Sequence, residues 1–252
     1  MKDIIPATKQ SPILGLTGLG GGVGSNIVAG GAADSTYVDD VFSTYLWKGT
    51  GVDQSFNNGI KLGNSNAGSG VGFDGTGDYL TLQSTSDVSF GTGDFTIEFW
   101  VKKPDSTQGG FFQISSTVGG FTSSSYANTI AAAWNGGAWQ MYGGGVDATG
   151  NGSITANAWY HIAVVRSSNT LKMYVNGTSV MSRSDTNNYS HTYLGINGYY
   201  STTYTNKGQL SNFRVVKGTA VYTGNFTPPT AELTSIANTK LLCCNTPVMT
   251  TA

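Results

Sequence analysis

The sequence has 252 residues, a formal net charge of −1 and only 11% charged residues. This near-neutral balance gives no electrostatic reason to expect nucleic acid as a partner. Because 38% of the residues are hydrophobic, disorder driven by charge repulsion is also disfavoured. No apolar run approaches the length that spans a bilayer, so no membrane insertion is expected. The 36 glycines, about twice the average usage, are typical of a turn-rich β protein.

Residues 1–36 form a glycine-rich N-terminal segment that also carries spaced aliphatic side chains. Ordering so many glycines costs conformational entropy, yet the aliphatic residues argue against a purely solvated linker. We interpret the segment as an assembly arm that becomes ordered against a partner or a neighbouring subunit; the alternative is a floppy tail. The side chains expected to make its contacts are Ile13, Leu14, Leu16, Leu19, Val23, Ile27 and Val28.

Residues 37–70 are predicted to form a β-hairpin attachment segment that ends in a linker. β-forming residues dominate 41–47, a turn containing two glycines follows, and a second short strand ends at Leu62. The stretch GNSNAGSG at 63–70 has the composition of a linker. Since an isolated hairpin is only marginally stable, we expect this segment to pack on the main domain or on another chain.

Short strands separated by turn signals follow from residue 71 to residue 242. In FTIEFWVK, at 95–102, large apolar side chains alternate with the others, the period-two pattern of a half-buried strand. The stretch 158–183 is predicted to form three antiparallel strands, and Asn176-Gly177 suits the second of its tight turns. We therefore predict an all-β, antiparallel two-sheet jelly-roll sandwich with negligible helix, in which Phe99 and Trp159 belong to buried layers.

The two cysteines, Cys243 and Cys244, are adjacent in LLCCN, and neighbouring cysteines rarely bridge each other because the geometry is strained. We interpret them as small apolar residues at the end of a strand. Residues 243–252 are assigned to a C-terminal tail. Without a disulfide framework the redox compartment stays open.

Several of these segments resemble the laminin-G-like, concanavalin A-like jelly-roll family, over about residues 71–233. They are FTIEFWVK, AWYHIAVVR, LKMYVNGTSV and QLSNFRVVKGTAVYTGNFTPP. The endings VKGTAVYTGNFTPP and TKLLCC, with DDVFSTYLWKGTG and PILGLTGLGGGV, are similar to segments of marine phage virion proteins. The resemblance implies a concanavalin A-like sandwich on a non-enzymatic virion structural protein, a capsid decoration or a tail-fibre or appendage component. Its expected location is the virion, and its expected partners are other virion proteins and copies of itself.

The same architecture also hosts glycoside hydrolases, so an enzyme of that kind is kept as an alternative. Retaining hydrolysis needs two carboxyl groups about 5–5.5 Å apart. The chain has two glutamates: Glu98 stands alone on a strand face, and Glu232 lies far along the chain in a connecting stretch. The aspartates lie mainly in turns, which turn chemistry explains. His161, within a strand beside aromatic residues, is expected to be a packed structural histidine. No catalytic residue is assigned.

Calcium is a possible cofactor, since some members of the family that the chain resembles bind it at a rim of the sandwich. Asp74 and Asp78, in DGTGD, place two carboxylates on one predicted turn. Two carboxylates fall short of the six to eight oxygen ligands that Ca²⁺ takes. Backbone carbonyls and Asp185 or Asn187, from another loop, would have to complete the site. A protein without any cofactor is the other expectation.

Aromatic residues crowd several predicted loops, next to small polar side chains. Aromatic faces can stack on sugars and polar side chains can bind their hydroxyls, so a carbohydrate-binding adhesin for host-surface glycans is a second hypothesis. The same composition also makes an ordinary protein interface or plain loop packing. The candidate ligand-binding residues are Trp134, Trp139, Tyr193, Tyr199, Tyr200 and Tyr204.

Overall fold

A computed structural model describes residues 54–56, 61–65, 68–75, 79–82, 85–116, 128–148, 152–197 and 205–244. These residues form fifteen β-strands and one short 3₁₀ helix, Ser86–Val88, and contain no α-helix. The strands are β1 (Gln54–Phe56), β2 (Lys61–Ser65), β3 (Gly68–Asp74), β4 (Leu80–Leu82), β5 (Phe95–Lys102), β6 (Gly109–Ser115), β7 (Ile130–Trp134), β8 (Trp139–Gly143), β9 (Val146–Ala148), β10 (Trp159–Ser167), β11 (Thr170–Val175), β12 (Thr178–Ser184), β13 (Tyr193–Ile196), β14 (Lys207–Lys217) and β15 (Thr239–Cys243).

The strands form two antiparallel sheets that pack face to face. The seven-stranded sheet has the order β1-β4-β13-β6-β7-β8-β9. The eight-stranded sheet has the order β12-β11-β10-β5-β14-β3-β2, and β15 pairs with β14 beside β3. The predicted antiparallel jelly-roll sandwich is therefore confirmed, and it is nearly all β.

Strand β5 lies in the middle of the eight-stranded sheet and shows how the sequence builds the core. It pairs with β10 along its whole length and with β14 on its other side. Its inward side chains are fully or almost fully buried, and Phe99 lies within 6 Å, centroid to centroid, of Phe111, Phe112 and Phe213. Alternation along β5 thus predicts the inner layer correctly, and the burial of Phe99 is confirmed.

The outward face of the same sheet is covered over part of its area by residues 218–238, which we call the strap. The strap is anchored by Thr96, whose hydroxyl donates to the carbonyl of Thr219 and accepts from the amide of Val221. Farther along, Tyr222 and Phe226 stack on each other at 3.6 Å and pack against Tyr174. Because the strap adds a third layer there, strands β5, β10 and β11 are buried on both faces over that part.

The described part of the segment expected to form a separate hairpin belongs to the sandwich. Strand β1 pairs with β4 in the seven-stranded sheet, whereas β2 pairs with β3 in the eight-stranded sheet. The second strand expected for the hairpin thus pairs within the sandwich, whereas the first, at 41–47, lies outside the described residues, so the hairpin itself stays a prediction. Because β2 and β3 begin before residue 71, the sandwich extends further toward the N-terminus than expected. Residues 1–53, including the whole assembly arm, lie outside the described residues.

The expected tail also begins later than residue 243. Cys243 is the last residue of β15, and both cysteines are buried free thiols whose sulfur atoms are 3.7 Å apart. Their interpretation as small apolar residues at a strand end agrees with this placement. Within the described part of the chain, no helix is long and apolar enough to cross a membrane.

Candidate functional site

Beyond the strap, the outward face of the eight-stranded sheet carries partly exposed aromatic side chains. On β5, Trp100 and Lys102 are half-buried, while the inward residues beside them are buried. Trp159 on β10 and Gln209 on β14 are half-buried as well. We call these four residues, Trp100, Lys102, Trp159 and Gln209, the aromatic platform.

Strand register brings the four side chains together. Lys102 lies directly opposite Trp159 on one side and opposite Gln209 on the other, so the three form a row across the sheet. Trp100, two residues before Lys102, shares its face. The ammonium of Lys102 lies 5.7 Å from the ring centroid of Trp159, a cation–π contact. Two tryptophans, an ammonium and an amide are thus held on adjacent strands of a rigid sheet.

A buried charged network lies next to the platform, under the strap. Glu98, two residues before Trp100, accepts hydrogen bonds from Arg214 Nε at 3.0 Å and Arg214 Nη2 at 2.5 Å. Its other oxygen accepts from the hydroxyl of Tyr222 at 2.7 Å and lies 3.2 Å from His161 Nε2. Glu98 and His161 are fully buried. The partners of Glu98 are thus an arginine, a histidine and a tyrosine rather than a second carboxyl group, and the expectation of a packed His161 is supported.

The network holds Glu98 ionised. Burial pushes the pKa of Glu98 upward, but the hydrogen bond from His161 and the positive charge of Arg214 outweigh it and leave that pKa below its usual value. Burial, together with the same carboxylate, raises the pKa of Tyr222. The carboxylate is thus a fixed anion that neutralises Arg214 and ties the strap to the sheet.

Two ring nitrogens where the network meets the platform lack hydrogen-bond partners among the described residues. They are Trp100 Nε1 and His161 Nδ1, both buried, on rings whose centroids are 5.3 Å apart. In a neutral His161 the nitrogen facing the Glu98 carboxylate carries the proton, so Nδ1 is an acceptor. The indole nitrogen of Trp100 is a donor. One of these buried atoms is therefore a donor and the other an acceptor, each without a partner among the described residues.

The ligand-binding residues expected in loops lie elsewhere. Trp134 and Trp139 end and begin neighbouring strands of the seven-stranded sheet, are almost completely buried, and pack on each other at 5.0 Å. Trp134 donates its indole hydrogen to the carbonyl of Ser106. Tyr193 is also buried, on β13. These three side chains are packed in the fold, which corrects their assignment to loops. Tyr199, Tyr200 and Tyr204 lie outside the described residues.

The additional calcium ligands expected from a second loop are also committed to other contacts. Asp185 is buried, lies 3.7 Å from Arg166 Nε, and accepts from the hydroxyl of Tyr189. Asn187 donates from its amide to Asp185. This cluster sits where β10 pairs with the first residue of β5, whereas Asp74 lies near the last. Asp185 and Asn187 therefore lie at the wrong end of the sheet to complete a site with Asp74. The side chains of Asp74 and Asp78 lie outside the described part, and calcium there stays a prediction.

The sequence contains a signal for the platform, in the phase of Trp100 along β5. Trp100 falls in phase with Thr96 and Glu98, on the more polar face of β5, where a large apolar ring is unexpected. Trp159 was expected in a buried layer and is instead half-buried, because the described contacts of the strap do not extend to it. A tryptophan out of phase with the inward apolar residues of a strand is the pattern that identifies such a surface.

The comparisons with known proteins agree with this fold. Residues 74–223, more than half of the chain, match the laminin-G-type family model described as the concanavalin A-like lectin/glucanases superfamily. No curated protein matches the sequence.

Two solved structures are similar in fold. Domain 4 of AbnA, a GH43 extracellular arabinanase from Geobacillus stearothermophilus solved with arabinotriose, has a TM-score of 0.51 at 15% identity, over 68% of this chain and 84% of its own. The binding domain of botulinum neurotoxin serotype G has a TM-score of 0.51 at 12% identity, over 68% of this chain and 44% of its own, so this chain spans less than half of that one. On the evidence of the family match and of the sandwich itself, the chain belongs to the concanavalin A-like lectin/glucanase superfamily.

Proposed function

We propose that this chain is a non-catalytic carbohydrate-recognition module whose ligand binds on the aromatic platform. The observation that carries the proposal is the pair of tryptophans that stays partly exposed on the outward face of a rigid sheet. Single apolar side chains at a surface are normal, but partly exposed aromatic rings clustered on one sheet face mark an interaction site.

The platform has the chemistry that a sugar needs. The C–H faces of a sugar ring carry slight positive charge and pack against the negative faces of indole rings. The amide of Gln209 and the ammonium of Lys102 supply hydrogen bonds to hydroxyl groups at the edge of the rings.

Two further facts support carbohydrate as the ligand class. The family to which the chain belongs includes lectins by its description. A structure of similar fold, domain 4 of the arabinanase, was solved with a trisaccharide. The fold alone does not fix function, so the platform carries the argument and these similarities support it.

The carboxylates support a non-catalytic role over a glycoside hydrolase. Glu98 is fully buried and held as an anion by Arg214, so it offers neither an accessible acid nor a nucleophile. Glu232 lies exposed on the strap. Two carboxyl groups flanking a substrate at about 5–5.5 Å are what retaining hydrolysis requires, and neither glutamate suits such a pair.

We further propose that the module is displayed on a phage virion, as a capsid decoration or a tail-fibre component. The support is the similarity of its N-terminal and C-terminal segments to marine phage virion proteins. Mass spectrometry of purified particles should find the protein at high copy number. Deleting residues 1–36 should leave a soluble β domain that no longer joins particles or self-associates; normal assembly of the truncated protein would show that the attachment surface lies elsewhere.

The binding proposal is tested by a glycan array of host-surface polysaccharides, followed by titration of any hit with platform variants. Trp100→Ala and Trp159→Ala should each weaken binding at least about tenfold, equivalent to about 1.4 kcal/mol. Ile236→Ala, which removes an exposed apolar side chain from the strap, is the matched control and should bind normally. A hit that both tryptophan variants retain would place the ligand elsewhere, and an array without any hit would contradict the proposal.

A further inference from the structure

A buried lysine and a buried asparagine, far apart in sequence, meet at the platform end of the sandwich. Lys103 is 1% exposed and Asn206 is 3% exposed. The Lys103 amine donates to the side-chain oxygen of Asn206 at 2.6 Å. The carbon of that amide is one C=O bond, about 1.23 Å, from the oxygen. The amine therefore lies close to the distance of about 3–3.5 Å at which reacting atoms are held in near-attack geometries.

Two glycines leave space for this pair of side chains. Lys103 directly follows β5, and Asn206 directly precedes β14, the neighbouring strand. A side chain at Gly109 would lie 2.7 Å from the amide carbon of Asn206, and one at Gly208 would lie 3.1 Å from Lys103 Cα. Gly208 also has a φ of +135°, which side-chain-bearing residues rarely adopt. Two glycines thus allow the amine and the amide to meet inside the protein.

The surroundings suit a reactive amine better than an ion pair. Among the described residues, the side-chain oxygen of Asn206 is the acceptor that Lys103 contacts, and no carboxylate lies within salt-bridge distance. Asp105 acts on Lys103 through its charge only, because its carboxylate bonds to Thr107. Burial lowers the pKa of Lys103 to about 8, so a fraction of the side chain is free amine near neutral pH.

The amide is oriented by contacts of its own. Its nitrogen, Nδ2, donates to the carbonyl of Gly110 on β6, and the backbone carbonyl of Asn206 accepts from the side chain of Asn197. These contacts leave the oxygen of the amide turned toward the amine. The amide carbon and a water-excluded amine are thus held next to each other.

We propose that Lys103 and Asn206 join in an intramolecular isopeptide bond. The neutral amine of Lys103 attacks Cγ of Asn206, and the new bond between Nζ and Cγ forms as the bond between Cγ and Nδ2 breaks. One proton passes from Nζ to the departing nitrogen, which leaves as ammonia. Nothing is oxidised or reduced, and no co-reactant is needed. The product replaces a buried amine, costly when charged, with a neutral secondary amide.

The cross-link would join two neighbouring strands at the platform end of the sandwich. It ties the end of β5 to the start of β14, two neighbouring strands of the eight-stranded sheet. Through the bridge between Gly110 and Thr205 the same spot touches the seven-stranded sheet. The bond closes a loop of 103 residues, so mechanical force could no longer extend the chain between the two positions. This property goes beyond carbohydrate binding and does not depend on it.

The test is the intact mass of the purified wild-type protein. We expect a mass lower than the sequence mass by one ammonia, and a branched peptide joining residues 103 and 206 after digestion and fragmentation. Lys103→Met and Asn206→Ala should each show the full mass of their sequences. Lys240→Met, at another lysine, should keep the deficit.

Ring closure at an Asn-Gly pair such as Asn176-Gly177 also releases ammonia, so the variants and the branched peptide decide the assignment. A deficit that persists in Asn206→Ala would overturn the proposal. A wild-type protein that keeps its full mass after long incubation at mildly alkaline pH would overturn it as well, whether or not the variants fold.

Discussion

The outward face of β5 has two halves that differ in what covers them. At Thr96 and Glu98 the strap lies on the sheet, and a carboxylate is buried with an arginine, a histidine and a tyrosine. At Trp100 and Lys102 the side chains are half-buried, and the indole nitrogen of Trp100 has no partner among the described residues. The first half is closed by the chain's own groups, whereas the second is available to another molecule.

The difference teaches where stability and binding reside in this protein. In the covered half every polar atom of Glu98 is used, so substitutions there should change the free energy of unfolding. In the platform half the contacts are few, so substitutions should change binding more than folding. The loss of unfolding free energy on removing a packed ring from the inner face of β5 is the reference with which both halves are compared.

The largest loss of stability is expected from the inner face. Phe99→Ala removes a fully buried ring packed among three other phenylalanines and should cost about 3–5 kcal/mol of unfolding free energy. Denaturant unfolding at neutral pH measures it, with the smaller change Phe99→Leu as the control. Unchanged stability in Phe99→Ala would mean that the faces of β5 are wrongly assigned.

A loss of similar size is expected in the covered half. Arg214→Met leaves the Glu98 carboxylate buried without its positive partner and should also cost about 3–5 kcal/mol. Adding Glu98→Gln to the same protein should recover much of that loss, because the uncompensated charge is gone. If the double variant is no more stable than Arg214→Met, packing rather than charge explains the effect.

A smaller effect is expected where the strap touches the network. Tyr222→Phe removes one hydroxyl donor to Glu98 and keeps the stacked ring, so the loss should be about 1.5–3 kcal/mol, as for hydrogen bonds to charged groups. Phe226 has no hydroxyl at the equivalent stacked position, which makes Phe226→Leu a control for ring packing alone. An unaltered unfolding midpoint in Tyr222→Phe would argue against a strap held by Glu98.

Acid should weaken the covered half in a defined pH window. The pKa of Glu98 is lowered from 4.5 in the folded protein, so the folded state holds the carboxylate ionised more strongly than the unfolded state does. Its stabilisation is fully present above pH 4.5 and is lost as the pH falls through the lower folded value. Wild-type stability should therefore drop more steeply below this pH than that of Glu98→Gln. Parallel curves would disprove the assignment.

The smallest change in stability is expected on the platform. Lys102→Met keeps the aliphatic stem on Trp159 and removes a half-exposed charge, so the unfolding free energy should change by no more than about 0.5 kcal/mol. Thermal unfolding measures this directly. A loss as large as that of Arg214→Met would erase the distinction between the two halves.

Strand alternation predicted the inner layer well. The inward residues of β5 and the hairpin at Asn176-Gly177 follow from local patterns, because period two and turn chemistry act over a few residues. The family resemblance gave the sandwich as a whole. These features could be predicted because the pattern that indicates each of them lies within the element itself.

The outer layer was not predictable in the same way. Glu98 meets Arg214 across 116 residues, and no local pattern links the two positions. The strap has no strand periodicity, so nothing in its sequence shows that it covers Ala163 and Tyr174. Trp159 was placed on the correct face but was assumed to be covered, and Trp134 and Trp139 were assumed to be open. Exposure depends on which long-range segment reaches a surface, and that information is spread along the chain.

The position of β14 in the sheet has a consequence for synthesis. Strand β5 is made early, but its neighbour β14 and the strap that closes its outer face come more than a hundred residues later. Until Arg214 and Tyr222 have left the ribosome, the Glu98 carboxylate has no partners with which to be buried. In a chain that stops before them, the cost of burying this unpaired charge opposes folding of the sheet. Long-range pairing of this kind also slows folding. Nascent chains should therefore stay open and protease-sensitive until nearly the whole domain has emerged, and proteins truncated before the strap should be degraded rather than accumulate as partly folded sandwiches.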